Sequence, residues 1–281
     1  MISREEHRRL QELYLGVLKD YHSFCVSNNL RYYLIAGSAL GAKRHAGFIP
    51  WDVDIDVAMP REDYEKFDEL CRSGALSDSY EYSSYKNNKS HYLSHALLLI
   101  PDSDIVFRED GRRTQLFLDI APLDNMPNDI MAAQKNFNKV KRITWLISGK
   151  QNMQHLGQGK AKRLLKKIAQ ILLMPVPLST LNRLRDDAMS KYRNVECDYY
   201  VNYAGKYSMI KDSAHKSVFG APTLMKFEDG LFFAPERINE YLTRMYGEYE
   251  ILPSDDEQER LWNGVESVRF PGEQHVMKGA K

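Results

Sequence analysis

The stretch GFIPWDVDIDVAM at 47–59 constrains this chain more than any other, because it sets Asp52, Asp54 and Asp56 among apolar residues. In an extended strand side chains alternate between faces, so the three aspartates would share one face and Val53, Ile55 and Val57 the other. Aspartate opposes β-propensity, and like charges side by side on one strand face repel. Such a cluster persists only where a cation or a proton neutralises it. The rest of the fold has to supply one or the other.

Around this segment the pattern is mixed α/β. Ser3 and Glu6 have capping-box spacing, and Leu10, Leu13, Tyr14, Val17, Leu18 and Tyr21 recur at helical intervals, which predicts a first helix ending near Asn28-Asn29. LRYYLIAG at 30–37 reads as a buried strand that stops at Gly37-Ser38, with a short helical turn through Ala39–Arg44 after it. The aspartate strand is expected over Phe48–Met59, closed by Pro60 before the helical REDYEKFDELC. Further strands are expected at 92–100, 104–108 and 115–123, which would complete the central sheet. From Ile130 to about Tyr192 the pattern is helical, broken at 154–159 and 174–179. FEDGLFFAP at 227–235 reads as a hairpin, and Pro235 opens a helix to Tyr246. The fold class expected is α/β in the α+β sense: a mixed-sheet core over 1–128, and a mainly helical region with a C-terminal hairpin over 129–281 that packs on the core and completes the site.

Lys plus Arg number 39 against 38 Asp plus Glu, so the net charge of +1 gives no argument for a nucleic-acid partner. The distribution is less even: no acid occurs between Asp129 and Asp186. Within that interval KAKRLLKKIAQILLM at 160–174 sets basic residues beside an aliphatic stripe, which suits either a core helix with a solvated basic face or a peripheral contact with an anionic membrane. Cys25, Cys71 and Cys197 are few, odd in number and far apart, which argues against a disulfide framework and against a multi-cysteine zinc site. With no signal-peptide layout at the N-terminus and no bilayer-length apolar run, a cytoplasmic protein, peripheral at the inner face of a membrane if 160–174 binds it, is expected.

Three modest features combine into one chemistry. The glycine of Gly37-Ser38 lets backbone N–H groups approach a phosphate closely. Asp54 and Asp56 on one strand face suit a hard divalent cation, and Mg²⁺ usually takes one or two carboxylates plus substrate phosphate oxygens. Asp119, inside LFLDIAPL, can add a third carboxylate that completes a metal site or accepts the proton of an attacking hydroxyl. Lys43, Arg44 and His45 lie between these parts, and Arg44 ranks first among them as a phosphate grip. Each has a plainer reading beside it. Asp52 suits a turn or a strand start, Asp119 a satisfied buried acid, and Lys43 and Arg44 a solvated face.

AGSALGAKRHAGFIPWDVDIDVAMPREDYEKF at 36–67 resembles the central signature of the LicD family, which includes phosphocholine transferases, fukutin and fukutin-related protein. LDIAPLDNMP at 118–127 and KFEDGLFFAPERINEYLTRMYGEYEILP at 226–253 are similar to its second and C-terminal blocks, while 130–200 matches loosely. Val53 stands where the family run has a further aspartate; it would face away from the metal pair. The resemblance implies a nucleotidyltransferase-like fold, with Asp54, Asp56 and Asp119 as catalytic metal ligands for Mg²⁺ or Mn²⁺, and Gly37, Ser38, Lys43 and Arg44 on the donor phosphates. It implies transfer of a substituted phosphate from a CDP-activated donor (CDP-choline, CDP-ribitol or CDP-glycerol) to a hydroxyl of a cell-surface or lipid-linked glycan such as lipopolysaccharide, capsule or teichoic acid. Asp52, Tyr203, Tyr207 and Glu228 are further substrate-binding candidates, the tyrosines as an aromatic cage for a quaternary ammonium. A nucleotidyltransferase releasing pyrophosphate and a metal-dependent glycosyltransferase using a nucleotide-sugar are the alternatives.

Overall fold

Ser3 and Glu6 form the reciprocal cap that their spacing predicts: the Ser3 N–H donates to Glu6 Oε2 (2.7 Å) and the Glu6 N–H to Ser3 Oγ (3.1 Å). They start α1 (Arg4–Ser27), whose apolar stripe of Leu10, Tyr14, Leu18, Tyr21 and Cys25 is buried against the sheet. The computed structural model describes residues 2–151 and 175–273. The expected break at 154–159 and the basic segment at 160–174 lie outside them.

The sheet is mixed and curled. β1 (Tyr33–Leu34) pairs antiparallel with β2 (Asp56–Pro60), and β2 lies parallel to β5 (Arg113–Met126). β5 pairs antiparallel with β4 (Ala96–Phe107), which carries β3 (Glu81–Ser83) and, on its other stretch, the C-terminal β10 (Val265–Arg269). The far end of β5 continues into β6 (Tyr199–Val201) and β7 (Ser213–His215). Helices α2 (Ala36–His45) and α3 (Arg61–Arg72) flank the sheet, and α4 (Ile130–Lys150) packs on α5 (Leu178–Met189). After α6 (Lys216–Phe219) come the hairpin β8 (Thr223–Phe227) and β9 (Gly230–Ala234), then α7 (Ile238–Tyr246) and α8 (Asp255–Trp262). All three cysteines are free and buried, as their spacing implies.

Four expectations shift. The strands foreseen at 92–100 and 104–108 are one strand, β4, with an irregular register between Ile100 and Ile105. The sheet is not complete at residue 123, because β10 covers β4, whose exposed edge would otherwise hold unpaired backbone groups. The helical turn begins at Ala36 rather than Ala39, leaving β1 only two residues. Finally, the aspartate strand starts at Asp56: Asp52 and Asp54 precede it in extended chain, where Ile55 already accepts the Asp119 N–H (3.1 Å). The alternation survives nonetheless, since Ile55, Val57 and Met59 are fully buried and Asp54 and Asp56 are not.

Two apolar clusters hold these parts. The larger runs between α1, the sheet, the hairpin and α7; the smaller joins Phe137 and Val140 of α4 to Ala188, Met189, Val201, Tyr203 and Met209. A buried ion pair ties the two together. Arg61, at the start of α3, makes a bidentate pair with Asp124 of β5 (2.7 and 2.8 Å) and reaches Asp186 of α5 (3.0 Å). Removing one partner from such a pair strands a desolvated charge, so Asp124→Ala is expected to lower stability by about 3–5 kcal/mol in urea unfolding. Pairing that change with Arg61→Met should recover part of the loss, since the buried guanidinium is then gone and the carboxylate left behind, Asp186, is partly exposed and keeps its hydrogen bond from Tyr85 (2.8 Å).

Candidate active site

β2 and β5 place their acids side by side. The parallel register sets Asp56 opposite Asp119, so two carboxylates meet at the same level of neighbouring strands, with Asp54 two residues before Asp56 on the same face. Asp52, Asp54 and Asp56 each keep part of their surface open, yet their carboxylates lie deep among protein atoms. Burial pushes all three above the usual carboxylate range, and neighbouring acids add to it: Asp54 acts on Asp52, Asp119 on Asp54, and Asp54, Asp119 and Asp52 on Asp56. A hydrogen bond with Asp54 helps keep a proton on Asp52. This is the charge conflict that the sequence pattern implies, answered here by a shift toward the protonated form.

Gly37-Ser38 shapes the same spot in two ways. A Cβ on Gly37 would lie 2.6 Å from Asp52 Oδ2, so only glycine leaves room for that carboxylate. The Ser38 hydroxyl accepts the Asp56 N–H (2.9 Å), which ties the helix start to the strand start. Ala36, the first residue of α2, sits at φ 46°, and its N–H donates to the Tyr241 hydroxyl (3.1 Å). Ile35, the N-cap, supplies no side-chain acceptor. The N–H groups of Gly37 and Ser38 thus open a helix end that suits an anion, next to the acids.

The structure does not bring every candidate to this point. With a rise of 1.5 Å per residue, Lys43 stands roughly 9 Å along α2 from Gly37, and its side chain is exposed. Arg44 turns to the C-terminal segment, donating to the carbonyls of Tyr249 (2.7 Å) and Ile251 (3.4 Å). Glu228 accepts from the Phe48 N–H (3.1 Å) and pairs with Arg8 (2.9 Å), and its N–H donates to the Ala46 carbonyl (2.7 Å). It fastens the hairpin turn to the chain leading into the aspartates. Tyr203 is 2% exposed in the smaller core, its hydroxyl held by Asn136 (2.7 Å), and presents no face to a ligand. Tyr207, by contrast, is 43% exposed and meets Tyr246 edge-on at 6.3 Å, where Tyr246 feels the charges of Asp56 and Asp52.

Several supports escape the sequence pattern. His95 Nε2 contacts Asp119 Oδ1 at 2.8 Å. The segment carrying His95 is held by α5, where Asn182 donates to the His91 carbonyl (2.6 Å) and Arg185 to those of Tyr92 (2.9 Å) and Leu93 (2.5 Å). Gln11 of α1 donates to the carbonyls of Ile49, Pro50 and Asp52 (3.1–3.3 Å), fixing the turn before Val53. Tyr14 and Arg112 add their fields near Asp54. No local signal marks these residues, because each acts from a distant element. Only the two histidines of NNKSHYLSH offered a hint.

An oxygen-only set of desolvated like charges fits a hard divalent cation. It is an open set: among the described residues, no three His, Cys, Asp or Glu side chains converge as a ready-made metal cage. Two carboxylates with room for substrate oxygens is the arrangement Mg²⁺ takes with phosphates.

The mixed sheet sets paired acids on adjacent parallel strands beside an open helix start, and residues 29–156 match the family model described as LicD/FKTN/FKRP, nucleotidyltransferase domain. Over that span the chain is similar to the LicD family. It is 26% identical over 261 residues to the lipopolysaccharide cholinephosphotransferase LicD of Haemophilus influenzae, covering 89% of this chain and 94% of that one. It is 46% identical over 51 residues to the human ribitol 5-phosphate transferase FKRP, which is 17% of this chain and 10% of that protein.

Two outcomes test this architecture. Gly37→Ala should cost about 1–3 kcal/mol in thermal or urea unfolding, because the methyl overlaps the Asp52 carboxylate. The second concerns His91, whose Nε2–H donates to the His95 carbonyl (2.8 Å) while Nδ1 accepts from Ser83 (3.0 Å), a neutral ring. Burial lowers its pKa to about 4 from an ordinary 6.5. Below 6.5 the unfolded chain takes up a proton that the folded chain refuses, so this contribution is whole above pH 6.5 and is lost as pH falls towards 4, roughly 3 kcal/mol in all. His91→Gln should flatten that part of the stability–pH curve between pH 7 and 4.5.

Proposed function

We propose that this chain transfers a substituted phosphate, phosphocholine or a close analogue, from a CDP-activated donor to a hydroxyl of a glycan. The class, a transferase of substituted phosphate groups, follows from the family match and the two named relatives. The finer reading is carried by one observation: Asp56 stands opposite Asp119 at the β2–β5 register, with Asp54 two residues before it, beside the open start of α2.

Asp54 and Asp56 would hold Mg²⁺ or Mn²⁺, which supplies charge neutralisation on the donor diphosphate when bound. Gly37 and Ser38 offer backbone N–H groups to a phosphate oxygen. Asp119, oriented by His95, accepts the proton of the acceptor hydroxyl as its oxygen bonds to the distal phosphorus. The bond from that phosphorus to the bridging oxygen breaks, and CMP leaves with the electron pair. Tyr207 and Tyr246 stand near the acids as an edge-on pair, where a choline head group finds aromatic faces. A glycan acceptor agrees with the lipopolysaccharide named for the Haemophilus relative. Among the described residues no helix is long and apolar enough to cross a membrane.

The protein incubated with Mg²⁺, a crude glycan and CDP-choline, CDP-ribitol or CDP-glycerol should release CMP and leave a phosphate-linked substituent on the glycan, read by ³¹P NMR. Asp56→Asn should reduce turnover by about 10³-fold or more with donor binding still measurable, and chelation of the metal should silence the wild type. Pyrophosphate release from CTP, or a transferred sugar, would refute this reading.

A further inference from the structure

The loop between β6 and β7, residues 202–212, is built to hold its tip still. Its base is closed by the Asn202 N–H donating to the Asp212 carbonyl (2.7 Å). Tyr203 and Met209 are sunk in the smaller core, while the residues between them, Lys206, Tyr207 and Ser208, are exposed. Lys141 of α4 reaches under the loop and donates to the carbonyls of Gly205 (2.6 Å) and Tyr203 (3.3 Å). Asp212 packs against Gly205 so closely that a Cβ at 205 would overlap its carboxylate. A long, exposed segment of this kind is usually mobile; here two buried anchors and a half-buried cation fix it.

β6 runs antiparallel to β5 with Val201 opposite Asp124, so the chain leaves β6 in the direction of Asp119. Tyr207 rests on Tyr246, which itself lies in the field of Asp52 and Asp56. Next to Tyr207, Lys206 is the cation whose charge bears on Asp52, Asp54 and Asp56 alike. Yet its ammonium makes no ion pair with any of them. A cation near enough to act on three carboxylates but not closed onto one leaves a gap between opposite charges. A phosphate group bound between them, with a divalent cation on the acid side, would be neutralised from both sides. Arg44, on the helix that opens beside the acids, is directed elsewhere, to the carbonyls of Tyr249 and Ile251.

We propose that Lys206 is a donor-binding residue that grips the diphosphate of the donor, held over the acids by the anchored loop 202–212. This rests on the phosphotransferase reading above. Because the acceptor brings no diphosphate, loss of Lys206 should raise the donor KM and leave the acceptor KM unchanged. The exposed side chain carries no core packing, so its replacement should leave the unfolding midpoint where it was.

The test is calorimetric titration of the full chain with CDP and with inorganic pyrophosphate, both in Mg²⁺, for wild type, Lys206→Ala and Lys206→Arg. We expect Lys206→Ala to weaken both probes by about ten- to a hundredfold, the range of a charged hydrogen bond. It should also reduce the salt dependence of binding, with Lys206→Arg restoring most of the affinity. Equal binding by wild type and Lys206→Ala would overturn the role of Lys206 and leave the site reading intact. Failure of the wild type to bind either probe at millimolar concentration would overturn the diphosphate site itself, and Lys206 with it.

Discussion

Repulsion among four carboxylates is the constraint on which this structure turns. Asp52, Asp54 and Asp56 come from one short segment and Asp119 from the neighbouring strand, and the parallel register of β2 with β5 forces them together. Each of the three in the segment is lifted from its usual range by burial first and by its neighbours second. A fold gains nothing in stability from such a group, since both desolvation and like charge oppose it. Under the proposed function an incoming cation and an anionic substrate would discharge it, and strain at the site would become binding energy.

The remainder of the chain reads as scaffolding against that repulsion. From the N-terminal side Gln11 fixes the turn at 49–52, and Arg8 holds Glu228, which holds Phe48. From the C-terminal side Tyr241 takes the N–H of Ala36, and Arg44 ties α2 to the chain after α7. Through α5, Asn182 and Arg185 hold the segment that sets His95 on Asp119. Three distant stretches therefore converge on a few backbone groups around the acids. The C-terminal stretch positions the site through Glu228, Tyr241 and the carbonyls of Tyr249 and Ile251.

Helices were legible from local rules. The cap at Ser3, the helix after Pro60 and the hairpin at 223–234 follow from spacing and turn chemistry, although the hairpin loop is Glu228-Asp229, with Glu228 rather than glycine at positive φ. Strand lengths were less so. β1 shrinks to two residues because Gly37-Ser38 belongs to a helix, and β4 runs through Pro101–Asp104 because β10, far off in sequence, covers part of it. Arg44 shows the limit for the site. Its place between Ser38 and Asp52 suggested a phosphate grip, but helix geometry turns it to carbonyls near residue 250.

By itself the sequence determined the charge problem and its chemistry: alternating aspartates amid buried Val and Ile, a glycine where no side chain fits, a third acid in an apolar strand. These are local patterns, legible from neighbouring residues alone. Which residues answer the aspartates was decided only by tertiary structure. Lys206, His95, Gln11 and Tyr246 reach the site from a loop, an inter-strand segment and two helices, separated from Asp54 by tens to hundreds of positions. Electrostatic and hydrogen-bonding forces act through space, and proximity in space is what the folded chain adds.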